Sequence, residues 1–259
     1  MQHTGSSQQI NTSPNEIDIC SSDLINIISY PCPNFREYVE RLNEIYLLGI
    51  THFLFAGKTK IGKISIAGKG CVSIVLKVKS RNKICALKIR RTDANRDTMG
   101  REAYFHEIAN SVGVGPKLYS FSKNIMIMEF ADGLSIIDWI KRQDISAAEV
   151  REVVISILKQ CYKLDMAHLD HGELSCLDHH VVISNSNTVK IIDFESSSTQ
   201  RKVCNVTAAA QSLFLSGFIS SRIGGLIHLL EREKIIQLLK TYKRDQSKNN
   251  FDNVLGIVD

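Results

Sequence analysis

Apolar residues along this chain recur with a period that changes twice. Leu24, Ile27 and Ile28 fall at helical spacing, and after Pro31 and Pro33 so do Val39, Leu42, Ile45, Tyr46 and Leu48, which predict one buried face up to Gly49. Asn34 is placed to cap that second helix, with Glu37 three residues on. From Ile50 to Arg91 the period becomes two, and strands are expected at 51–55, 63–67, 72–79 and 83–90, separated by Gly, Lys and Asn turns. That is an antiparallel meander. Residues 95–111 read as a helix stopped by Gly113, Gly115 and Pro116, followed by strands at 117–121 and 125–129.

Beyond Asp132-Gly133 helical spacing returns, at 134–142 and 146–169. The second of these opens with the capping box Ser146-Ala-Ala-Glu149 and lines Val150, Val153, Val154, Ile157, Leu158, Cys161 and Leu164 on one face. Two β-branched runs, 181–183 and 189–192, flank a Ser/Asn turn and predict a short hairpin. Helices at 203–216 and 222–243, the latter ending in an exposed Lys/Arg-rich tail, complete the pattern. The expected class is α+β.

Composition narrows this picture only a little. With 259 residues, 44% hydrophobic and 23% charged, the chain can bury one large core or two lobes. Residues 1–20 are Ser/Gln/Asn-rich and are expected to form a disordered arm. A formal charge of +5 is enough to favour an anionic ligand and well short of the dense basic patch of a dedicated nucleic-acid binder, and there is no direct nucleic-acid motif. The seven cysteines form no CxxC pair and no zinc-ligand spacing, so they read as reduced, mostly buried thiols of a cytosolic protein. No apolar run reaches the roughly 18 residues of a membrane span. Residues 1–15 lack the layout of a signal peptide, so a cytoplasmic location and no membrane partner are expected.

Two stretches carry candidate chemistry. In the first, Ala67-Gly68-Lys69-Gly70-Cys71-Val72-Ser73-Ile74-Val75 lies between expected strands, where glycines let backbone amides approach phosphate oxygens; a plain hairpin turn is the competing reading. In the next strand Lys88 stands inside the apolar run Ile84, Cys85, Ala86, Leu87 and Ile89, and a buried ammonium needs a partner. Glu102 on the following helix is the natural candidate and Glu107 the less favoured one. The second stretch runs from His168 to Glu195, where the hairpin brings Glu173, before its first strand, towards Asp193, at the end of its second. Such a pair suits a base plus a metal ligand; a surface hairpin with solvated charges is the competing reading.

In order, these pieces resemble the protein-kinase set of Gly-rich loop, strand lysine, helix glutamate, catalytic loop and metal-binding aspartate. They stand here as Gly68/Gly70/Ser73/Val75, Ala86-Leu87-Lys88, Glu102, His171-Gly172-Glu173-Leu174 and Asp193-Phe194-Glu195, and the resemblance covers residues 62–217. Within that superfamily the chain is most similar to small atypical kinases: the RIO kinases, the bud-site-type kinase of the KEOPS complex and the archaeal serine/threonine kinase group that carries HGE and DFE. The absence of Ala-Pro-Glu after Asp193 and the 66 residues beyond it leave no room for a long activation loop.

The resemblance implies a two-lobed kinase-like fold. Residues 21–60 would form an N-terminal helical extension, 61–131 an N-lobe of antiparallel sheet plus one helix, and 132–259 a minimal helical C-lobe. It implies an ATP-dependent serine/threonine protein kinase, autophosphorylating, using Mg²⁺ or Mn²⁺. Gly68, Lys69, Gly70, Ser73 and Val75 would cover the phosphates, and Lys88, held by Glu102, would contact them. Ala86, Met128, Glu129, Phe130 and Ala131 would enclose the adenine. Glu173 would orient the nucleophile and Asp193 bind metal, with either Asp178 or His180 as second ligand: chain position favours His180, and hard-oxygen chemistry favours Asp178. A protein substrate and an RNP or tRNA-modification-linked complex are the expected partners. Two alternatives stand beside this: a nucleotide-binding pseudokinase or ATPase-type switch module, and a small-molecule kinase, for which the 37 residues between Gly133 and His171 leave no room for an enclosing insertion.

Overall fold

The computed structural model describes residues 16–19, 21 and 24–258, so most of the expected N-terminal arm lies outside the described residues. Its end does not: β1 (Glu16–Asp18) pairs with a later strand, so the expected arm is ordered from residue 16, because that strand offers it an open edge. The chain divides into two units, one holding the described residues up to Met99 together with Tyr119–Phe130, the other holding Gly100–Leu118 and everything from Ala131.

In the first unit, α1 (Ile25–Ile28) and α2 (Phe35–Leu47) precede β2 (Ile50–Leu54), the hairpin β3 (Thr59–Ile61) and β4 (Ile64–Ile66), β5 (Gly68–Lys69), β6 (Ser73–Ser80) and β7 (Lys83–Arg90). After an excursion into the other unit, β8 (Leu118–Phe121) and β9 (Ile125–Glu129) complete the sheet, whose order is β1-β2-β6-β7-β9-β8 with β5 also on β6. Alternation does the sorting: Ile74, Leu76 and Val78 of β6 join Leu87, Ile89, Ile125 and Ile127 in a core closed by Leu24, Ile27, Ile28 and Ile45. The strand expected over 63–67 is β4, and an unexpected partner, β3, precedes it, because Gly62 takes φ +58 and reverses the chain between them.

Asn34 caps α2 as expected, accepting from the amides of Arg36 and Glu37. The buried face of that helix is the expected one at Leu42, Ile45 and Leu48, which lie in or against the core, and differs at three other positions. Val39 and Tyr46 are exposed, whereas Arg41 is fully buried, donating from Nη1 to the carbonyls of Ile28 (2.9 Å) and Arg90 (2.6 Å), with Glu37 3.0 Å from Nη2. Burial lowers the Arg41 pKa and Glu37 opposes that. Those two carbonyls need a donor that an apolar face cannot supply.

The second unit begins with α3 (Gly100–Ser111) and continues with β10 (Leu134–Ser135), α4 (Ile136–Ile140), α5 (Ala147–Met166), β11 (Val181–Ile183) and β12 (Val189–Ile191). The three strands form a sheet of order β10-β11-β12. Then come α6 (Asn205–Ala210), a π-helical turn at Gln211–Leu215, α7 (Gly217–Leu226), α8 (Arg232–Arg244) and α9 (Lys248–Leu255). The capping box at Ser146 and Glu149 is present, and α5 buries the seven apolar residues expected of it. One expectation fails here. The single helix over 222–243 is α7 and α8 with an extended Ile227 between them. The tail's Lys240, Lys243 and Arg244 are exposed as expected, but the chain after them folds back: α9 and the residues just beyond it bury Phe251, Val254, Ile257 and Val258, since 251, 254 and 258 repeat at helical spacing and Phe251 stacks on Tyr162 (4.2 Å between ring centroids).

Of the six described cysteines only Cys85 and Cys161 are buried; Cys204 is half-buried, and Cys32, Cys71 and Cys176 sit exposed in loops rather than in apolar faces, so the thiols are not mostly buried. Cys20 lies outside the described residues. Among the described residues no helix is long and apolar enough to cross a membrane.

Candidate functional site

Sheet register aligns the candidate nucleotide contacts of the first unit. Val75 pairs with Lys88 and Lys88 with Met126; one row along, Lys77 pairs with Ala86 and Ala86 with Met128. Paired residues in antiparallel strands point to the same side, so Val75, Ala86, Lys88 and Met128 share one face. Lys88 is 5% exposed, an ammonium buried in a sheet. At the edge of that face Phe130, half-buried, lies under Lys77, whose Nζ is 4.4 Å from the ring centroid.

The Gly-rich turn is held at its base: Gly70 donates to the Ser73 carbonyl (2.8 Å), Arg91 Nη1 donates to the Gly70 carbonyl (2.9 Å), and Ser73 itself is buried. Lys69 is exposed beside it. Neither Gly68 nor Gly70 has a positive φ, and a Cβ at either would meet neighbours no nearer than 3.5 Å. Neither glycine is demanded by the protein's own packing. Glu129 ends β9, and the boundary between units falls after Phe130, so Ala131 opens the second unit.

In the second unit the carboxylates of Glu102, Asp193 and Glu195 come together, their oxygens all within 4.8 Å of one another. Glu102 is 2% exposed and the other two are half-buried. Packing explains this grouping. Phe194 is fully buried with its ring 5.0 Å from that of His106 on α3 and 5.3 Å from that of His171. Gly115 lies against the same ring, at φ +82, where a Cβ would come within 2.9 Å of Phe194. Helix α3 is therefore clamped on the segment that carries Asp193 and Glu195. Asp193 itself takes φ +71, the left-handed region that few residues besides Gly, Asn and Asp adopt.

The loop with Glu173 is fixed by backbone. Asp170 and Ser198 exchange hydrogen bonds (2.9 and 2.8 Å), and the His171 amide donates to Asn205 Oδ1 (2.9 Å). His171 is wholly buried, and its Nε2 donates to the Ile192 carbonyl (3.1 Å), which ties this loop to the residue before Asp193. A carbonyl can only accept, so the proton sits on Nε2. Burial and then the neighbouring His180 lower the His171 pKa to about 4, leaving the ring neutral at ordinary pH. Gly172 takes φ +92 where a Cβ would lie 2.8 Å from the Ser196 carbonyl, so no other residue fits.

Glu173 is half-buried with Oε2 3.7 Å from His180 Nε2. Neither His180 nor Asp178, which lies in a 3₁₀ turn at Leu177–His179, belongs to the three-carboxylate group. Glu102, expected as the partner of Lys88, does belong to it. Three carboxylates offer only hard oxygen donors, a set that fits Mg²⁺ or Mn²⁺ and has no thiolate or imidazole to prefer a softer ion.

Sequence reasoning missed the support beneath this loop. Asp165 is fully buried and accepts four hydrogen bonds, from Asn205 N (2.9 Å) and Nδ2 (2.8 Å), Val206 N (3.2 Å) and Tyr242 Oη (2.9 Å). It thus caps α6 from α5, and Asn205 passes the constraint to His171. Burial raises the Asp165 pKa against those hydrogen bonds. An aspartate directly after the last apolar residue of the helix face, Leu164, was the available signal. Arg201, donating to Asp170 (2.7 Å) and to the Ser196 carbonyl (2.6 Å), was also missed. A cavity of about 400 Å³ opens beside the loop, lined by Asp170, Gly172, Ser175, Thr207 and Lys240; a larger one of about 710 Å³ lies elsewhere in the unit, between α5 and the turn before β12.

The chain matches no family model, and no curated protein is significantly similar to it.

Proposed function

We propose that this protein is an ATP- and divalent-metal-dependent phosphotransferase, an atypical serine/threonine protein kinase that phosphorylates itself. The observation that carries this reading is the carboxylate group Glu102, Asp193 and Glu195, with Asp193 in a left-handed conformation next to the buried Phe194. A left-handed backbone at the residue that begins such a group fits a carboxylate that has to be aimed at a ligand.

The roles follow unit by unit. In the first, the turn 68–73 brings backbone amides to the phosphates, Lys88 neutralises their charge, and Val75, Ala86 and Met128 supply an apolar face for adenine, with Glu129, Phe130 and Ala131 offering backbone groups at its edge. In the second, Asp193 with Glu195 and Glu102 holds the cation, and Glu173 accepts or orients the proton of the attacking hydroxyl. When bound, the cation offsets charge on the β- and γ-phosphoryl oxygens. His171 keeps Glu173 and Asp193 in register through the Ile192 carbonyl. Incubation with γ-labelled ATP and Mg²⁺ or Mn²⁺ should label the protein, and Asp193→Ala should abolish the label; incorporation unchanged by that substitution rules the assignment out.

One observation favours a second reading, a nucleotide-binding switch module that does not transfer phosphate. Glu173 faces His180, and neither candidate second ligand joins the carboxylates. A thermal shift on adding metal-ATP, with no turnover over hours, selects the module.

A further inference from the structure

We propose that the first unit carries a binding surface for a single-stranded polynucleotide, RNA or DNA. The proposal does not depend on the phosphotransfer reading. Between Glu44 and Asp93 the chain has eleven Lys and Arg and not one Asp or Glu. The whole chain has 32 Lys+Arg and 27 Asp+Glu, so taking these eleven away leaves 21 cations against 27 acids. The mild formal charge of +5 is therefore a strongly basic segment set in an acidic remainder. The bulk figure hides it.

Of the eleven, Lys88 and Arg90 are buried, and Arg91 is paired with Asp93 (2.7 Å). The rest lie on strands and turns of the first unit, some on its main sheet and some on the separate two-stranded β3–β4 hairpin. Lys58, Lys60 and Lys63 are exposed on the β3–β4 hairpin and the approach to it, and Arg81 and Lys83 are exposed in the turn from β6 to β7. Between them the register places His52 opposite Lys79 and Lys79 opposite Ile84, with Leu54 opposite Lys77, so His52, Lys77 and Lys79 share a face. On the adjoining strand β1, Glu16 and Asp18 are the acids in register with that face, and Asp18 lies 4.0 Å from His52. Cations outnumber them.

Aromatic rings accompany the charge. Lys77 lies over the ring of Phe130, and on β8, the last strand of the same sheet, Tyr119 is 46% and Phe121 43% exposed. Phosphate-neutralising cations interleaved with exposed rings are what a single strand needs, because each base has a face to stack and each phosphate a charge to meet. A membrane surface is better met by an amphipathic helix with an apolar wedge, and an acidic peptide has no use for the rings.

The test is fluorescence anisotropy of labelled oligouridylate and oligothymidylate of about 20 nucleotides with the full chain in EDTA. Affinity should fall with salt between about 50 and 200 mM, with a log–log slope steeper than about −3. Replacing Lys58, Lys60 and Lys63 together by Ala should weaken binding on the order of 100-fold at about 0.1 M salt and flatten the slope by about 2. Tyr119→Ala should cost on the order of tenfold by lost stacking. A preference for the ribose or the deoxyribose strand would name the ligand within the proposed class. If the triple variant melts below the wild type, Lys79→Gln with Lys83→Gln replaces it. Salt-independent binding, an affinity within about threefold of wild type in both folded variants, or binding only to phosphatidylserine vesicles that the oligonucleotides do not displace would overturn the proposal.

Discussion

In the first unit the buried ions are cations satisfied by oxygen: Arg41 by the carbonyls of Ile28 and Arg90, and Arg90 by Asn124 Oδ1 (2.8 and 3.0 Å) and the Arg96 carbonyl (3.1 Å). In the second unit they are carboxylates satisfied by N–H and O–H donors, Asp165 by Asn205, Val206 and Tyr242, and Asp170 by Arg201. Each unit thus tolerates one sign of charge in its interior and shows more of it nearby, Lys88 in one and the carboxylates around Asp193 in the other. What the contrast teaches is a division of labour. On the proposed function, a basic sheet suits phosphate oxygens, and a cluster of carboxylates in the otherwise near-neutral helical unit suits the cation that travels with them.

The strongest way to break this contrast is to remove charge from each side in turn. Asp193→Asn keeps a residue that tolerates φ +71 and removes the negative charge, so it should leave the melting temperature near wild type and lower label incorporation on the order of 1000-fold. Lys88→Met should do the same from the first unit. If only one of the two matters, the phosphates and the cation are not both served.

Next in size is the acid anchor. Asp165→Ala leaves three buried N–H donors and a tyrosine hydroxyl without their acceptor, and should cost about 3–4 kcal/mol in urea unfolding followed by circular dichroism.

Acid should strike the second unit through His171. Its folded pKa of about 4 lies below the usual 6.5, so between those values the unfolded chain binds a proton that the folded chain does not. The stability it contributes is full above the unfolded pKa and is lost as pH falls from about 7 towards 4, up to about 3 kcal/mol. Unfolding measured in EDTA across that range should show the slope, and His171→Gln should flatten it.

The smallest effect sharpens the contrast from the other side. Lys83→Ala removes an exposed cation of the first unit and should change stability by less than about 0.5 kcal/mol, seen as an unshifted thermal midpoint. A larger change would mean that the basic face has a part in folding.

Much of this was legible in the residues. The spacing of Val150 through Leu164, the capping box at Ser146 and Glu149, and the alternation over β6 and β7 all reappear where they were expected. What failed were features that depend on remote partners. Arg41 turned inward because carbonyls of Ile28 and Arg90 needed a donor, and apolar spacing cannot register that need. Phe251 and Val254 lie beyond the last helix read from the sequence and pack into the core of the second unit, where their neighbours, Tyr162 among them, are remote in the chain. The basic run between Glu44 and Asp93 was plain to see and was averaged away by counting charge over the whole chain.

By itself the order of residues decided where strands and helices form, because periodicity, caps and turn glycines act over a few neighbouring positions. It also placed Gly68, Lys88, Glu173 and Asp193 at the ends and centres of those elements. Only the tertiary structure decided that Glu102 joins Asp193 and Glu195 while Asp178 and His180 do not, and that Asn205, held by Asp165, positions His171. Those outcomes rest on a buried phenylalanine and on hydrogen bonds between residues distant in the chain, and no local pattern encodes either.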